Sequence, residues 1–236
     1  MTLATGADLT AALRDPGGAV EVVPGPLRGR IRRTDWVPVT HGVYRLAYDL
    51  PALAADLRAW QLVLPGSGAF SHLTSAQLRG WWLPPLPPDL PVFAAVLDAD
   101  PRPRRRGLRV CRHTAPFDVE RVAGLRVATP AETLLATARD LGLVDLLVLV
   151  DAALHRGACT VAELRSLSRR RRRGAPALRQ ALQYADARSE SPWESLLRLL
   201  HVTCDVPVDP QVEVLDDNGV FLARADLRIR GTRQLV

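Results

Sequence analysis

The sequence predicts a mixed α/β protein of the α+β kind, and three observations carry that expectation. Apolar residues recur at three- and four-residue spacing over 51–64 and again between 130 and 168, the mark of amphipathic helices. Short Val-, Leu- and Ala-rich runs at 36–45, 91–97, 108–112 and 121–128 read as strands. The stretch 189–236 combines a capped helix, a strand, an Asp-Asp-Asn-Gly turn and a second strand.

A chain of 236 residues holds one large domain or a few small ones, each with its own core. Hydrophobic residues make up 47% of it and the mean hydropathy is +0.02, values typical of a globular protein. No apolar run is long enough to span a bilayer, and the N-terminus lacks the basic-then-apolar layout of a secretory signal. A cytoplasmic protein is therefore expected. Cys111, Cys159 and Cys204 are widely spaced with no CxxC or clustered His beside them. They are expected to be small buried apolar residues rather than a disulfide framework or a zinc site. The net charge is +6, the pI is about 10.2, and all 31 basic residues are arginine. The 19 prolines and the arginine bias together look like a GC-rich coding sequence. Local arginine clusters still favour a polyanionic partner, nucleic acid first.

Residues 1–27 offer one short helix, Leu9 to Leu13, before the breakers Pro16, Pro24 and Pro26. The basic run Arg28-Gly29-Arg30-Ile31-Arg32-Arg33 then precedes a β-hairpin that turns at His41-Gly42. Such a hairpin is either the wing of a winged-helix module, touching phosphates through Arg28, Arg30, Arg32 and Arg33, or an ordinary surface hairpin. Residues 1–50 are assigned to a degenerate winged-helix-like module.

Leu53, Leu57, Trp60 and Leu64 define the helix over 51–64, and a helix over 71–79 ends at Gly80. The Trp81-Trp82-Leu83-Pro84-Pro85-Leu86-Pro87-Pro88 segment is expected to be a rigid extended connector. Strands at 91–97 and 108–112 flank Arg102-Pro103-Arg104-Arg105-Arg106-Gly107, which is either a solvated loop or a phosphate contact. One further strand is expected over 121–128. Thr129-Pro130-Ala131-Glu132 has the layout of a capping box with proline at the first helical position, opening a helix to Leu141. A helix over 144–155 and a second capping box at Thr160 and Glu163 complete an α/β and helical middle domain, 51–168. His155 has no base or nucleophile at a telling spacing. Five consecutive arginines at 169–173, among them Arg171, Arg172 and Arg173, and a short helix over 175–186 form a linker region, 169–188. Charge this dense disfavours helix and marks either an exposed linker or a phosphate-binding strip.

Residues 189–236 carry the chemistry. Ser191-Pro192-Trp193-Glu194 opens the helix, Gln211 enters the first strand, and Asn218-Gly219 is expected to supply the positive-φ residues of the turn. Alternation puts Leu222, Arg224, Asp226 and Arg228 on one face of the second strand and Ala223, Ala225, Leu227 and Ile229 on the other. Metal-dependent phosphodiester cleavage needs oxygen ligands converging on Mg²⁺, one carboxylate on a helix and one on a central strand, with a further acid and a basic group beyond. Glu194 and Asp226 suit the first two positions, with Asp226 as metal ligand and Arg224 and Arg228 facing a polyanion. The simpler alternative is that Glu194 only closes a capping box and that Asp226 pairs with Arg224 and Arg228 on a solvated face. No internal repeat, P-loop, GxSxG or dinucleotide fingerprint is present.

The run Ser-Glu-Ser-Pro-Trp-Glu-Ser-Leu-Leu-Arg from 189, then Pro-Gln-Val-Glu-Val, Asp-Asn-Gly and Ala-Arg-Ala-Asp-Leu, resembles actinobacterial proteins with a C-terminal endonuclease-like domain. That domain is similar to very-short-patch-repair (Vsr-like) endonucleases of the PD-(D/E)xK superfamily. Upstream, His41-Gly42-Val43-Tyr44-Arg45, Ser71-His72-Leu73-Thr74, Gly124-Leu125-Arg126-Val127-Ala128-Thr129-Pro130 and Asp151-Ala152-Ala153-Leu154-His155-Arg156-Gly157 match the same proteins, which are related to AbiEi-type antitoxins with a winged-helix DNA-binding module. The resemblance covers most of the chain from Val39 onward. It implies that 189–236 is a partial restriction-endonuclease-like αββ core, with Glu194 as the helix acid, Gln211 as the strand-entry glutamine and Asp226 as the strand aspartate. Family members carry a further strand, roughly Glu-x-Asp-Gly, and a later His beyond the position of Val236. They also have Arg-Thr-Leu-Leu-Asp where this chain has Glu132-Thr133-Leu134-Leu135-Ala136. Mg²⁺ is thus the implied cofactor only if the site is completed. The expected function is DNA binding with an incomplete nuclease site and a possible cognate toxin as partner; the alternative is a non-catalytic antitoxin or transcriptional regulator using its basic surfaces.

Overall fold

The computed structural model describes residues 25–29, 34–48 and 52–236. The helix expected at 9–13, and Arg30, Arg32 and Arg33, lie outside them. The predicted α+β class is the class observed, with ten strands in three sheets and seven helices among the described residues. The chain divides into two compact units. Unit 1 holds the described residues up to Trp81 together with Pro85–Thr133; unit 2 holds Trp82–Pro84 and Leu134–Val236. The boundaries expected at 50, 168 and 188 fall inside these units. Among the described residues no helix is long and apolar enough to cross a membrane.

Unit 1 begins with a small antiparallel sheet. The hairpin strands β2 (Trp36–Thr40) and β3 (Val43–Leu46) turn at His41-Gly42, as the alternation predicts, and β1 (Leu27–Arg28) pairs with the free edge of β3. Helix α1 (Ala52–Gln61) follows the hairpin and packs against β2 and β3. A five-stranded mixed sheet runs in the order β6-β5-β4-β8-β7, with β4 Ala69–Phe70, β5 Val92–Leu97, β6 Leu108–His113, β7 Val119–Val122 and β8 Leu125–Ala128. Its core gathers Leu57, Trp60, Phe70, Leu78, Leu125 and Val127. The strand expected over 121–128 is instead an antiparallel hairpin of β7 and β8. Ala123 (φ +50°) and Gly124 (φ +77°) both adopt left-handed conformations between the two strands, the backbone of a two-residue hairpin turn.

Helix α2 (His72–Leu78) explains the Ser71-His72-Leu73-Thr74 run. Ser71 N donates to Phe93 O at 3.1 Å, and Thr74 Oγ1 accepts from Phe93 N at 2.9 Å, so both backbone groups of one β5 residue are tied to the helix start. His72 is buried in a left-handed conformation (φ +50°), with Nδ1 2.9 Å from Ser71 Oγ and its ring stacked 5.3 Å from Phe93.

Unit 2 is built around α4 (Leu143–His155), in which nine consecutive residues from Leu146 to Leu154 are buried. A helix apolar on all sides must be enclosed, and α6 (Ala175–Ala181) and α7 (Pro192–Thr203) pack against it. Helix α3 (Pro130–Thr137) ends before Leu141, because the following amides bond three residues back, Arg139 N to Ala136 O and Asp140 N to Thr137 O. Helix α5 (Val161–Ser168) opens on the predicted capping box: Thr160 Oγ1 accepts from Glu163 N at 3.2 Å and Glu163 Oε2 accepts from Thr160 N at 2.7 Å. Gly174 precedes α6 at φ +86°, where a Cβ would stand 2.3 Å from Leu135 O. Helix α6 stops short of 186, since Gln183 N and Tyr184 N turn back to Gln180 O and Ala181 O.

The last element is the antiparallel pair β9 (Val208–Leu215) and β10 (Phe221–Ile229). Its turn differs from the Asn-Gly expectation. Only Gly219 takes a positive φ, +79°, while Asp216 Oδ1 accepts from Asn218 N and Val220 N, each at 2.8 Å. These amides hold the Asp216 carboxyl below its ordinary range, the Val220 amide foremost. The register slips between Phe221 and Ala223, as in a type I turn closed by a left-handed glycine. Residues 234–236 fold back along the other edge of β10, with Val236 N donating to Leu227 O at 2.8 Å and Leu227 N to Val236 O at 3.1 Å.

Candidate functional site

Ser191 sets the start of α7: its Oγ accepts from Glu194 N at 3.2 Å, and Pro192 follows in the first turn, where a missing N–H costs nothing. Glu194 is buried, and its carboxylate does not return to the Ser191 amide as a capping box requires. Glu194 Oε2 instead accepts from Glu190 N at 2.9 Å and from Gln211 Nε2 at 2.7 Å. The helix acid and the strand-entry glutamine are therefore in direct contact within unit 2.

Gln211 is held at φ +55°, an uncommon conformation for a residue with a side chain. Its Oε1 is buried with no hydrogen-bond partner among the described residues. The ladder pairs Ala225 with Val212 and Leu227 with Pro210, which sets Asp226 across from Gln211. Asp226 is exposed, and no ion pair or hydrogen bond engages its carboxylate among the described residues. The neighbouring arginines are taken by other acids: Arg224 Nη2 lies 2.7 Å from Glu190 Oε2, while Arg228 and Arg230 lie 3.1 and 2.9 Å from Asp209. Arg228 and then Arg230 hold the Asp209 carboxyl below its ordinary range. The pairing of Asp226 with Arg224 and Arg228, one of the two expectations, is not what forms.

A second network fixes the same helix and was not read from the sequence. Arg198 lies one turn beyond Glu194, on the same side of α7, and its guanidinium is buried. Nη2 donates to Asp151 Oδ2 and Nη1 to Tyr184 O. Asp151, fully buried on α4, also accepts from Asp186 N at 2.8 Å. Burial pushes the Asp151 carboxyl up to about 6 against the opposing pull of Arg198. The Asp151 run and the Ser189–Arg198 run, far apart in sequence, thus meet in one buried ion pair. Both residues being charged and separated by a linker was the available signal.

The remaining basic residues stand apart from this cluster. Arg28 is exposed on β1 in unit 1. In unit 2 the arginine run leaves α5 at Arg169 and lines an open cleft of about 510 Å³ formed by Arg169, Arg170, Arg171, Arg172 and Arg179 over Ala175 and Pro176. Arg173 is exposed next to Gly174. His155 stacks on Trp82 at 5.7 Å. None of the cysteines forms a disulfide, and only Cys159 is buried; Cys111 is half-buried and Cys204, at the end of α7, is exposed. The expectation of three buried cysteines therefore holds for one. Among the described residues no group of three or more His, Cys, Asp or Glu converges as a metal site.

Fold and site together define a mixed α/β protein with a buried-acid and glutamine cluster on a helix–hairpin element. No protein-family model matches the chain. It is 30% identical over 202 residues to the uncharacterized protein Rv2248 of Mycobacterium tuberculosis strain H37Rv, and equally to MT2308 of strain CDC 1551, covering 84% of this chain and 71% of each relative. The chain belongs to the family of these mycobacterial proteins. The crystal structure of the RV2827C protein from the same species superposes with a TM-score of 0.48 and 16% identity, over 84% of this chain and 82% of that one.

Proposed function

We propose that the chain is a nucleic-acid-associated protein of the AbiEi-antitoxin-like, Vsr-like endonuclease-domain group, binding DNA through its arginine surfaces. The observation that carries this reading is the 2.7 Å contact of Gln211 with Glu194, with Asp226 set across the ladder from Gln211. These are the three residues the resemblance assigns to the nuclease site, and they come from a helix and two strands. On this reading the protein works in the cytoplasm, with a cognate toxin as a further partner.

The donor set agrees with Mg²⁺ in kind. Glu194, Asp226 and the orphaned Oε1 of Gln211 are hard oxygen donors, with Asp226 the principal ligand. Bound there, Mg²⁺ supplies Lewis-acid polarisation of a phosphate and a more acidic water. In number the set is one acid short, since no three acids converge among the described residues. What the chain's own residues do is hold the glutamine amide with Glu194 and leave the Asp226 carboxylate open.

The expected result with supercoiled plasmid and Mg²⁺ is retention of DNA with no nicking above background. Cleavage that Asp226→Ala abolishes would show the acid set to be sufficient. The second reading, a non-catalytic antitoxin or regulator, is favoured by the engagement of Arg224 and Arg228 with Glu190 and Asp209. It expects DNA affinity to be the same in EDTA as in Mg²⁺.

A further inference from the structure

Gly107 sits at φ +79°, and a Cβ there would lie 3.6 Å from Trp60 Cζ2. Glycine suits that left-handed backbone, and the loop of unit 1 before β6 lies at ordinary contact distance from the edge of the Trp60 indole. The loop is pinned at both ends of its turn: Val92 N donates to Gly107 O at 2.8 Å, and Leu108 N donates to Arg105 O at 3.2 Å. Arg104, Arg105 and Arg106 are thus presented from a backbone fixed to the five-stranded sheet.

The β2–β3 hairpin tip faces them. Arg105 Nη1 donates to His41 O at 3.1 Å, closing an open cleft of about 550 Å³ whose floor includes Thr40 and Trp60 and whose rim is His41 and the three arginines. Strand β1 ends at the same tip, with Gly29 N donating to Gly42 O at 2.9 Å and Arg28 opposite Val43. Arg28 and the Arg104–Arg106 loop, far apart in sequence, therefore reach one hairpin end. Arg104 and Arg106 are exposed, and neither has a carboxylate partner among the described residues. Adjacent guanidiniums repel one another, and a bound anion offsets that repulsion; the planar fork of arginine matches phosphate oxygens. The volume suits a nucleotide-sized ligand.

We propose that this cleft is a phosphodiester-binding site, taking the backbone of a nucleic acid, with Arg104 and Arg106 on successive phosphates and Arg105 locking the loop to the hairpin tip. The proposal rests on the nucleic-acid reading above and adds a phosphate anchor on residues outside the endonuclease-like core. It gives the hairpin a wing-like role in which the contacts come from a loop beside the wing.

The test is fluorescence anisotropy of the full chain on a labelled DNA duplex across a salt series, with Arg104→Gln/Arg106→Gln beside wild type. Both positions are exposed, so an unchanged thermal midpoint shows that the variant is folded. Losing two phosphate contacts is expected to flatten the log K against log salt slope by about 1.8 and to weaken binding at least about tenfold at moderate salt. A wild-type slope in the folded variant overturns the cleft site and leaves the DNA reading standing. No wild-type binding to duplex or single strand at low salt overturns both. Saturable binding of inorganic phosphate alone, lost in the double variant while duplex binding is not, identifies a small-anion site and overturns the nucleic-acid assignment.

Discussion

Replacing Arg198 by methionine keeps the length of the side chain and removes its charge, in a place where the charge has one partner and no solvent. The substitution removes the bonds of Arg198 to Asp151 and to Tyr184 O, and Asp151 keeps the Asp186 amide at 2.8 Å. Removing one member of a buried ion pair costs about 3–5 kcal/mol, the loss expected for unit 2 at pH 7.5. The cost depends on pH. Asp151 titrates at about 6 in the folded chain against an ordinary 3.8, and 6 minus 3.8 corresponds to roughly 3 kcal/mol. Because the folded value is the higher one, this stability is fully present below pH 3.8 and is lost as pH rises through 6. Without Arg198 the carboxyl rises further, so the deficit of the variant is greatest at pH 7.5 and shrinks by at least about 1 kcal/mol at pH 5, where Asp151 is mostly protonated in both proteins. Urea unfolding followed by far-UV circular dichroism reads the helices of unit 2, which holds α4 to α7. A deficit under about 1 kcal/mol at pH 7.5, or one equal at both pH values, refutes the reasoning. The Asp151→Asn/Arg198→Met pair removes both charges and is expected to recover part of the loss.

Two further outcomes follow from local geometry. Gly174→Ala places a methyl group 2.3 Å from the Leu135 carbonyl at φ +86°, and backbone must move, so a loss of about 3 kcal/mol or more is expected, read as a clear fall in Tm. Thr160→Ala removes the acceptor for Glu163 N and is expected to cost about 1 kcal/mol, while Thr160→Ser stays near wild type in the same thermal scan.

The elements with local signals were legible in the sequence. The His41-Gly42 hairpin, the Thr160 capping box and the long apolar α4 depend on neighbours within a few residues, and they form where periodicity puts them. The β7–β8 turn was missed because Val122 and Leu125 continue an apolar pattern through Ala123-Gly124, and a glycine inside a strand pattern reads either as a bulge or as a turn. The helix expected to reach 141 ends at 137 in a local turn, with Arg139 N and Asp140 N bonding three residues back. The one expected to reach 186 ends at 181, where the chain leaves for tertiary partners: Tyr184 O goes to Arg198 and Asp186 N to Asp151. In the candidate site, residue types and order were legible and pairing was not. Spacing offered Arg224 and Arg228 to Asp226, whereas register and the placement of α7 give them Glu190 and Asp209. The Asp151–Arg198 pair joins residues on α4 and α7, a relation that no local pattern encodes.

The most direct test of the account is the salt dependence of DNA binding by the full chain without Mg²⁺. Phosphate contacts from several arginines predict a steep, linear fall of log K with log salt, each contact adding about 0.9 to the slope. A chain that fails to bind duplex or single-stranded DNA at low ionic strength, despite its net charge of +6, would contradict the account.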